Sequence, residues 1–378
     1  MSGAALPSPA WLVALSLLPA MGPVRLRALL GRWTPEEAWA QVLAGRLHRD
    51  EQVVSEARSL GPALSKRWQE AAALIDVTEL WEAHQGADIT VLQAGDRDFP
   101  SVLVGDPDPP AALFCRGAIQ ALDAPRVAIV GTRRCTHAGR AIAHEMGMTL
   151  AAAGVCVLSG LALGVDAAAH EGALASRATG GAPPVGVVGT GLDVVYPRRH
   201  EALWEEISGA GLLVSEYPLG TPPEPWRFPA RNRILAALAD VVVVVESHAR
   251  GGSLHTVDAA LERNTTVMAV PGSVRSPASA GTNELLVIGC PPARDAHDVL
   301  GVLGLDTIGI GRRPSASGRA PDVDGLGAKV LEGLGWEPAT LEQLAVRLGL
   351  PPGPLARALT ELKVAGMVTC RGSWWERR

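Results

Sequence analysis

The sequence predicts an α/β fold: an extended Rossmann-like, doubly wound parallel sheet, with a helical segment before it and a winged helix after it. Three observations carry this. Five consecutive valines, Val241 to Val245, form an unbroken β-branched run. Such a run belongs in a strand buried on both faces, as in parallel sheets covered by helices. From Arg126 onward, short apolar runs of this kind alternate with helical stretches. Glycine-bearing turns follow several of those runs, where open parallel sheets bind ligands beyond the carboxyl ends of their strands.

Length and composition set the frame. The chain has 378 residues, which at about 100–200 residues per domain suggests two to three domains. Hydrophobic content of 47% with 19% charged residues is that of a soluble globular protein. A net charge of −5 does not advertise a nucleic-acid binder, so any such binding must use a local patch. Arginine carries nearly all the positive charge, the only lysines being Lys66, Lys329 and Lys363. Its planar fork suits phosphate. The five cysteines are scattered and contain no CxxC pair, which argues against zinc and disulfide frameworks and for a reducing, cytoplasmic compartment. Residues 10–21 are apolar but too few to span a bilayer, and no positive residue precedes them, as a secretory signal would need.

The first 85 residues carry helical periodicity. Leu17 to Pro23 interrupts it as a tight turn, giving helix, turn, helix. The turn has the look of a helix-hairpin-helix, whose amides can hold a DNA phosphate. Pro23 stands where a second glycine is expected, which favours a plain helical hairpin. Residues 96–117 are proline-rich and read as an extended covering segment. The sheet spans residues 86–305, with strands expected at Val127–Val130, Val155–Ser159, Val185–Val188, Leu212–Ser215, Val241–Glu246 and Val267–Val270. Residues 306–324, rich in Gly, Pro and Ser, read as a flexible linker. Residues 325–378 form a third unit: helices at Leu341–Leu348 and Leu355–Ala365, then a short hairpin. From Leu326 on there are seven Lys or Arg against five Glu, a faint footprint for a DNA-binding winged helix.

Four constellations carry the chemistry. Gly131, Thr132, Arg133 and Arg134 follow the first of those strands, where glycine admits a ligand close to the backbone and a helix start favours an anion. Gly160 and Gly189 mark the turns after the next two. The spacing is not GxGxxG, which argues against a dinucleotide cofactor. Phe228, Arg231, Asn232 and Arg233 open the helix before the valine run. Arg231 and Arg233, two apart, point to different faces, so that one can meet a ligand while the other pairs internally, for example with Glu216 or Glu246. Phe228 and Trp226 are candidates to stack on a base. After the valines, Arg250, Gly252 and Ser253 supply a cation, a close backbone and a hydroxyl. Together these turns predict a phosphate or nucleotide-backbone site. Catalytic machinery is less evident: none of His137, His170, His200, His248 and His255 has an obvious nucleophile partner in sequence, and Asp166, Asp193 and Glu216 serve equally as bases or as neutralisers of arginine.

The ordered series VAIVGTRR, LSGLALGVDAAAH, GVVGTGLDVVYP, SEYPLGTPPEPWRFPARNRI and GGSLHTVDAAL closely resembles the DNA-processing protein A family, also called Smf. The resemblance covers the α/β region, about half the chain. It implies a cytoplasmic, dimeric protein of natural transformation that binds and protects incoming single-stranded DNA and loads the RecA recombinase. It implies no enzymatic activity, no cofactor and no metal. The family's phosphate loop falls on Gly131, Thr132 and Arg133, its FxxRNR element on Phe228, Arg231, Asn232 and Arg233, and its basic residue before Gly-Ser on Arg250, with Gly252 and Ser253. Ala138 and His200 depart from the usual tyrosine and asparagine. The fold also resembles nucleotide phosphoribohydrolases, whose glycine turn is followed by a catalytic glutamate. That glutamate is missing here, although Asp258 lies close. A nucleoside-monophosphate hydrolase is therefore the alternative, and a transcription factor led by its winged helix is a third reading.

Overall fold

The computed structural model describes residues 5–57, 60–305, 325–335, 338–371 and 373–377. The linker expected at 306–324 lies outside them. Contacts divide the chain into two units, Met1–Cys135 with Ile142–Gly304, and Thr136–Ala141 with Leu305–Arg378.

The first unit opens with helices α1 (Ser8–Ser16), α2 (Pro23–Leu30), α3 (Pro35–Ala44), α4 (Glu51–Glu56), α5 (Pro62–Ala72) and α6 (Val77–Gly86). Local chemistry starts and stops them. Thr34 and Glu37 form a reciprocal capping box ahead of Pro35, and Gly45 ends α3 in the left-handed region at φ +67°. The turn between α1 and α2 is tied into the bundle, because the buried Trp68 indole donates to the Pro19 carbonyl at 2.8 Å. One apolar core joins these helices to a face of the sheet, where Leu12, Leu15 and Trp68 share a cluster with Phe114, Val188 and Leu213.

Strands β1 (Thr90–Leu92) and β2 (Leu113–Gly117) precede the repeated units, with the one-turn helix α7 (Ser101–Val104) between them. There follow β3 (Arg126–Val130), α8 (His137–Ala152), β4 (Cys156–Ser159), α9 (Val165–Ala175), β5 (Val185–Val188), α10 (Glu201–Ala210) and β6 (Leu212–Ser215). Then come α11 (Arg227–Leu238), β7 (Val241–Val244), α12 (Leu254–Leu261), β8 (Thr266–Ala269), α13 (Ala280–Val287) and α14 (Ala296–Val302). The strand order is β1-β2-β6-β5-β4-β3-β7-β8. The six strands from β3 to β8 are parallel, and β2 and β1 extend the sheet antiparallel beyond β6. The six expected strands are all present. The proline-rich stretch does more than cover the sheet, since its end, Leu113 to Gly117, is itself a strand paired between β1 and β6. β3 has β4 on one side and β7 on the other, so successive connections run in opposite directions from it. The crevice between the carboxyl ends of β3 and β7 is therefore the topological switch point, where such sheets take ligands.

The second unit holds α15 (Gly325–Leu334), β9 (Ala339–Thr340), α16 (Leu341–Leu348), α17 (Pro352–Val364), β10 (Val368–Arg371) and β11 (Trp374–Arg377). A Thr340–Gln343 capping box starts α16 and left-handed Gly349 ends it. The helices close over Val330, Leu344, Leu359 and Leu362, and the strands pair in the order β10-β11-β9. This is a winged helix. No helix among the described residues is long and apolar enough to cross a membrane.

Candidate nucleic-acid interface

A cavity of about 490 Å³ opens at the switch point. Val130 to Arg134 form one wall, His248 and Arg250 to Ser253 the opposite wall, and Phe228, Arg231 and Asn232 the side between them. Three segments far apart in sequence thus converge on one crevice.

The first loop is fixed from below. Thr132 N–H donates to the Glu246 carbonyl at 2.8 Å, coupling the ends of β3 and β7. A Cβ at Gly131 would stand 2.6 Å from the Val165 side chain and 2.9 Å from the Glu246 carbonyl. Only glycine lets the chain pass there. The Thr132 hydroxyl accepts the Arg134 amide at 3.2 Å, and both Arg133 and Arg134 are exposed. The Arg133 guanidinium lies over the Phe228 ring at 5.6 Å, and that ring stacks on Tyr196 at 5.1 Å. The opposite wall is built similarly. Ser253 bonds Ser247 at 2.9 Å, the Gly251 amide donates to the His248 carbonyl, and Arg250 stands exposed at the rim.

Arg231 is the deepest cation, only 6% exposed. It donates to the carbonyls of Gly160, at 2.9 Å, and Val187, while its Nε reaches Asn232 Oδ1 at 3.1 Å. Burial lowers its pKa to about 10, opposed by the Asp166 carboxylate and reinforced by Arg133. Asp166, also buried, accepts from the Gly160 amide at 3.1 Å and the Ala162 amide at 3.4 Å. Its pKa is raised by burial, with Arg231 the main opposing influence. Asp166 thus acts on Arg231 and the strand-end amides, as a neutraliser. His170, one turn along α9, is fully buried, and burial pushes its pKa down to about 4. His200 contacts the Leu161 carbonyl through Nδ1 at 2.9 Å. Leu161 is itself a buried non-glycine residue held at φ +53°, the kind of strained backbone that concentrates at functional sites.

Arg233 does not reach the crevice. Its Nη2 donates to both Glu216 carboxylate oxygens at 2.6 Å, and its Nη1 donates to the Asp108 carbonyl at 2.6 Å. Asp108 in turn meets Arg27 at 2.6 Å. Burial raises the Glu216 pKa to about 7, with Arg233 pulling the other way. Arg233 is therefore a structural cation linking α11 to β6 and α2, and the expectation that it contacts phosphate is replaced by this role. Gly189 also lies apart from the cavity lining. A Cβ there would meet the Arg227 carbonyl at 3.3 Å and Phe228 at 3.4 Å, so it makes room for the start of α11. Gly160 borders a smaller slot shared with Arg133, Tyr196 and Phe228. Asp258 is exposed on α12 and does not line the cavity. Tyr196 adds an aromatic that the motifs do not single out. Its stacking on Phe228 depends on tertiary contact between segments more than 30 residues apart, which spacing does not encode.

Residues 90–304 match the family model of DNA recombination-mediator protein A, and residues 314–372 match the DprA winged helix domain. Protein Smf of Escherichia coli (strain K12) is 34% identical over 282 residues, 74% of each chain. The crystal structure of DNA processing protein A from Streptococcus pneumoniae superposes with a TM-score of 0.65 at 30% identity, covering 78% of this chain and 98% of that one. DNA processing protein A from Helicobacter pylori, whose structure addresses its single-stranded DNA binding mode, gives a TM-score of 0.51 at 32% identity, covering 58% and 96%. The chain belongs to the DNA recombination-mediator protein A family.

Proposed function

We propose that this protein binds single-stranded DNA along the crevice at the β3–β7 switch point, protects it, and hands it to the RecA recombinase during natural transformation. One observation carries the reading: two exposed arginine-bearing loops face each other across a glycine-walled cleft, with Arg231 between them. In this reading Gly131, Thr132, Arg133 and Arg134 take one phosphate, and Arg250, Gly252 and Ser253 take another. Arg231 supplies positive potential from beneath, Asn232 a polar edge, and Phe228 a stacking face. Gly160 admits the guanidinium of Arg231. The helical segment 1–85, the α/β body 86–305 and the winged helix 325–378 would act in a cytoplasmic homodimer, joined through the 306–324 linker. The described single-stranded DNA binding of the Helicobacter pylori relative supports the ligand class. In this reading the cleft holds the strand and carries out no catalysis.

Stacking on Phe228 requires an unpaired base, and phosphate contacts position a strand without reading its sequence. Affinity for single strands should therefore exceed that for duplex, vary little with sequence, and fall with salt by about 0.7 decades per decade for each phosphate neutralised. Fluorescence anisotropy with labelled oligonucleotides across a salt series measures all three. Salt-independent binding, or a preference for duplex, would overturn the reading.

A further inference from the structure

Phe228 is not the only aromatic at the start of α11. Trp226, two residues earlier, is 53% exposed, and Tyr196 is 40% exposed. In the first unit's described residues these two are the large aromatics left most open to solvent; Tyr196 stacks on the Phe228 ring at 5.1 Å, and Trp226 precedes Phe228 by two residues. An indole left in water forgoes the burial that tryptophan usually finds.

Trp226 is nonetheless held in one orientation. Its Nε1 donates to the Glu224 carboxylate, the Arg227 guanidinium covers its ring at 5.1 Å, and the Tyr217 ring meets it edge-on at 6.3 Å. Arg227 is spent on this arrangement. It also lies over Tyr217 at 5.0 Å, donates to the Pro222 carbonyl and sits 3.7 Å from Glu224. Its side chain is only 14% exposed. Arg227 is therefore a backing group for the indole and not a free cation for phosphate. A large apolar surface that is exposed, yet fixed by three neighbours, has the properties of a preorganised stacking face.

We infer that Trp226 is a second base-stacking platform for single-stranded DNA, engaged by a nucleotide that continues past Phe228 out of the crevice. This inference rests on the single-strand reading of the crevice. It assigns the lip formed by Pro222 to Arg227 to the strand's path, with the cation–aromatic stack of Tyr217, Arg227 and Trp226 as its support. The interaction is stacking and not ion pairing, because the local arginine is already engaged.

The test compares the wild-type protein with Trp226→Ala, Trp226→Phe and Arg133→Glu on oligothymidylates of about 3 to 20 nucleotides. Trp226→Ala should bind the shortest strands like wild type and the longer ones about tenfold more weakly, the scale of one lost base–aromatic stack. Trp226→Phe should recover most of that loss. The salt slope should not change in either, since no phosphate contact is removed. In the unmodified protein, an oligonucleotide carrying one photoreactive 5-iodouracil, moved stepwise along the strand, should crosslink to Trp226 from one register. This arm stands even where Trp226→Ala does not fold. Wild-type affinity for Trp226→Ala at every length, or crosslinks that never include Trp226, would overturn the inference while leaving the crevice intact. Failure of wild type to bind single strands, or full affinity in Arg133→Glu, would instead bring down the crevice reading on which it depends.

Discussion

The guanidinium of Arg231 rests on the carbonyl of Gly160 at 2.9 Å, beneath the crevice floor. A Cβ at Gly160 would stand 2.4 Å from Arg231 Nη2 and 2.6 Å from Nη1. Glycine at 160 is thus what allows the cation to occupy the carboxyl edge of the sheet. Gly160→Ala should expel the guanidinium while leaving the strand in place, because the obstructed atoms end a side chain. The expected cost is about 1–3 kcal/mol of stability, as for overpacking a buried site, together with a loss of single-strand affinity. Thermal unfolding and anisotropy on the same variant separate the two effects. Unchanged affinity would make Arg231 a purely structural residue.

Arg133 differs in being exposed, with its charge turned over the Phe228 ring. Arg133→Glu should weaken binding to all sequences alike and make the salt dependence shallower by roughly 0.7, the contribution of one phosphate on a single strand. Folding should be little affected, since an exposed arginine contributes little to stability. A variant whose affinity drops for some sequences only would show that Arg133 reads bases.

Much of this was legible in the residues themselves. The valine run gave β7 because an all-apolar β-branched stretch has few other places to go. Gly131 to Arg134 and Arg250 to Ser253 could be assigned to one edge because parallel topology puts the turn after every strand on the same side. The three-residue strand β1 was too short to show a period, and β2 was disguised by the prolines at 107, 109 and 110. The faces of α11 were only half legible. A spacing of two separates Arg231 from Arg233 but cannot say which turns inward. That choice is made by Glu216 and Asp108, which come from β6's end and the proline-rich loop. The same holds for Gly189, whose close neighbours, Arg227 and Phe228 at the start of α11, come from a distant segment.

The Arg233–Glu216 pair makes stability depend on pH in a direction opposite to most carboxylates. Burial raises the Glu216 pKa from 4.5 to about 7, so between those values the folded protein holds a proton that the unfolded chain has released. Its contribution is fully present below about pH 4.5 and is lost as the pH rises through 7. Against Glu216→Gln, which cannot titrate, wild type should become relatively more stable as the pH falls from about 8 to about 4.5. Urea unfolding of both proteins at the two pH values measures it. A constant gap would mean that Arg233 keeps the carboxylate ionised throughout.

Asp258 decides between strand binding and hydrolysis. In the hydrolase reading it must stand in for a glutamate that activates water at the phosphosugar, which requires it to face the cleft within reach of the reacting atoms. It sits instead on the exposed side of α12, five residues beyond Ser253, while Thr256 and His255 line the cavity. Asp166, the carboxylate that does line the cavity, is engaged by the Gly160 and Ala162 amides and faces Arg231. Incubation with nucleoside monophosphates should therefore release neither free base nor ribose phosphate, and Asp258→Ala should bind single-stranded DNA like wild type. Chromatography of the incubation mixture gives the first result and anisotropy the second. Turnover that disappears in Asp258→Ala would reverse the assignment and make the cleft an active site.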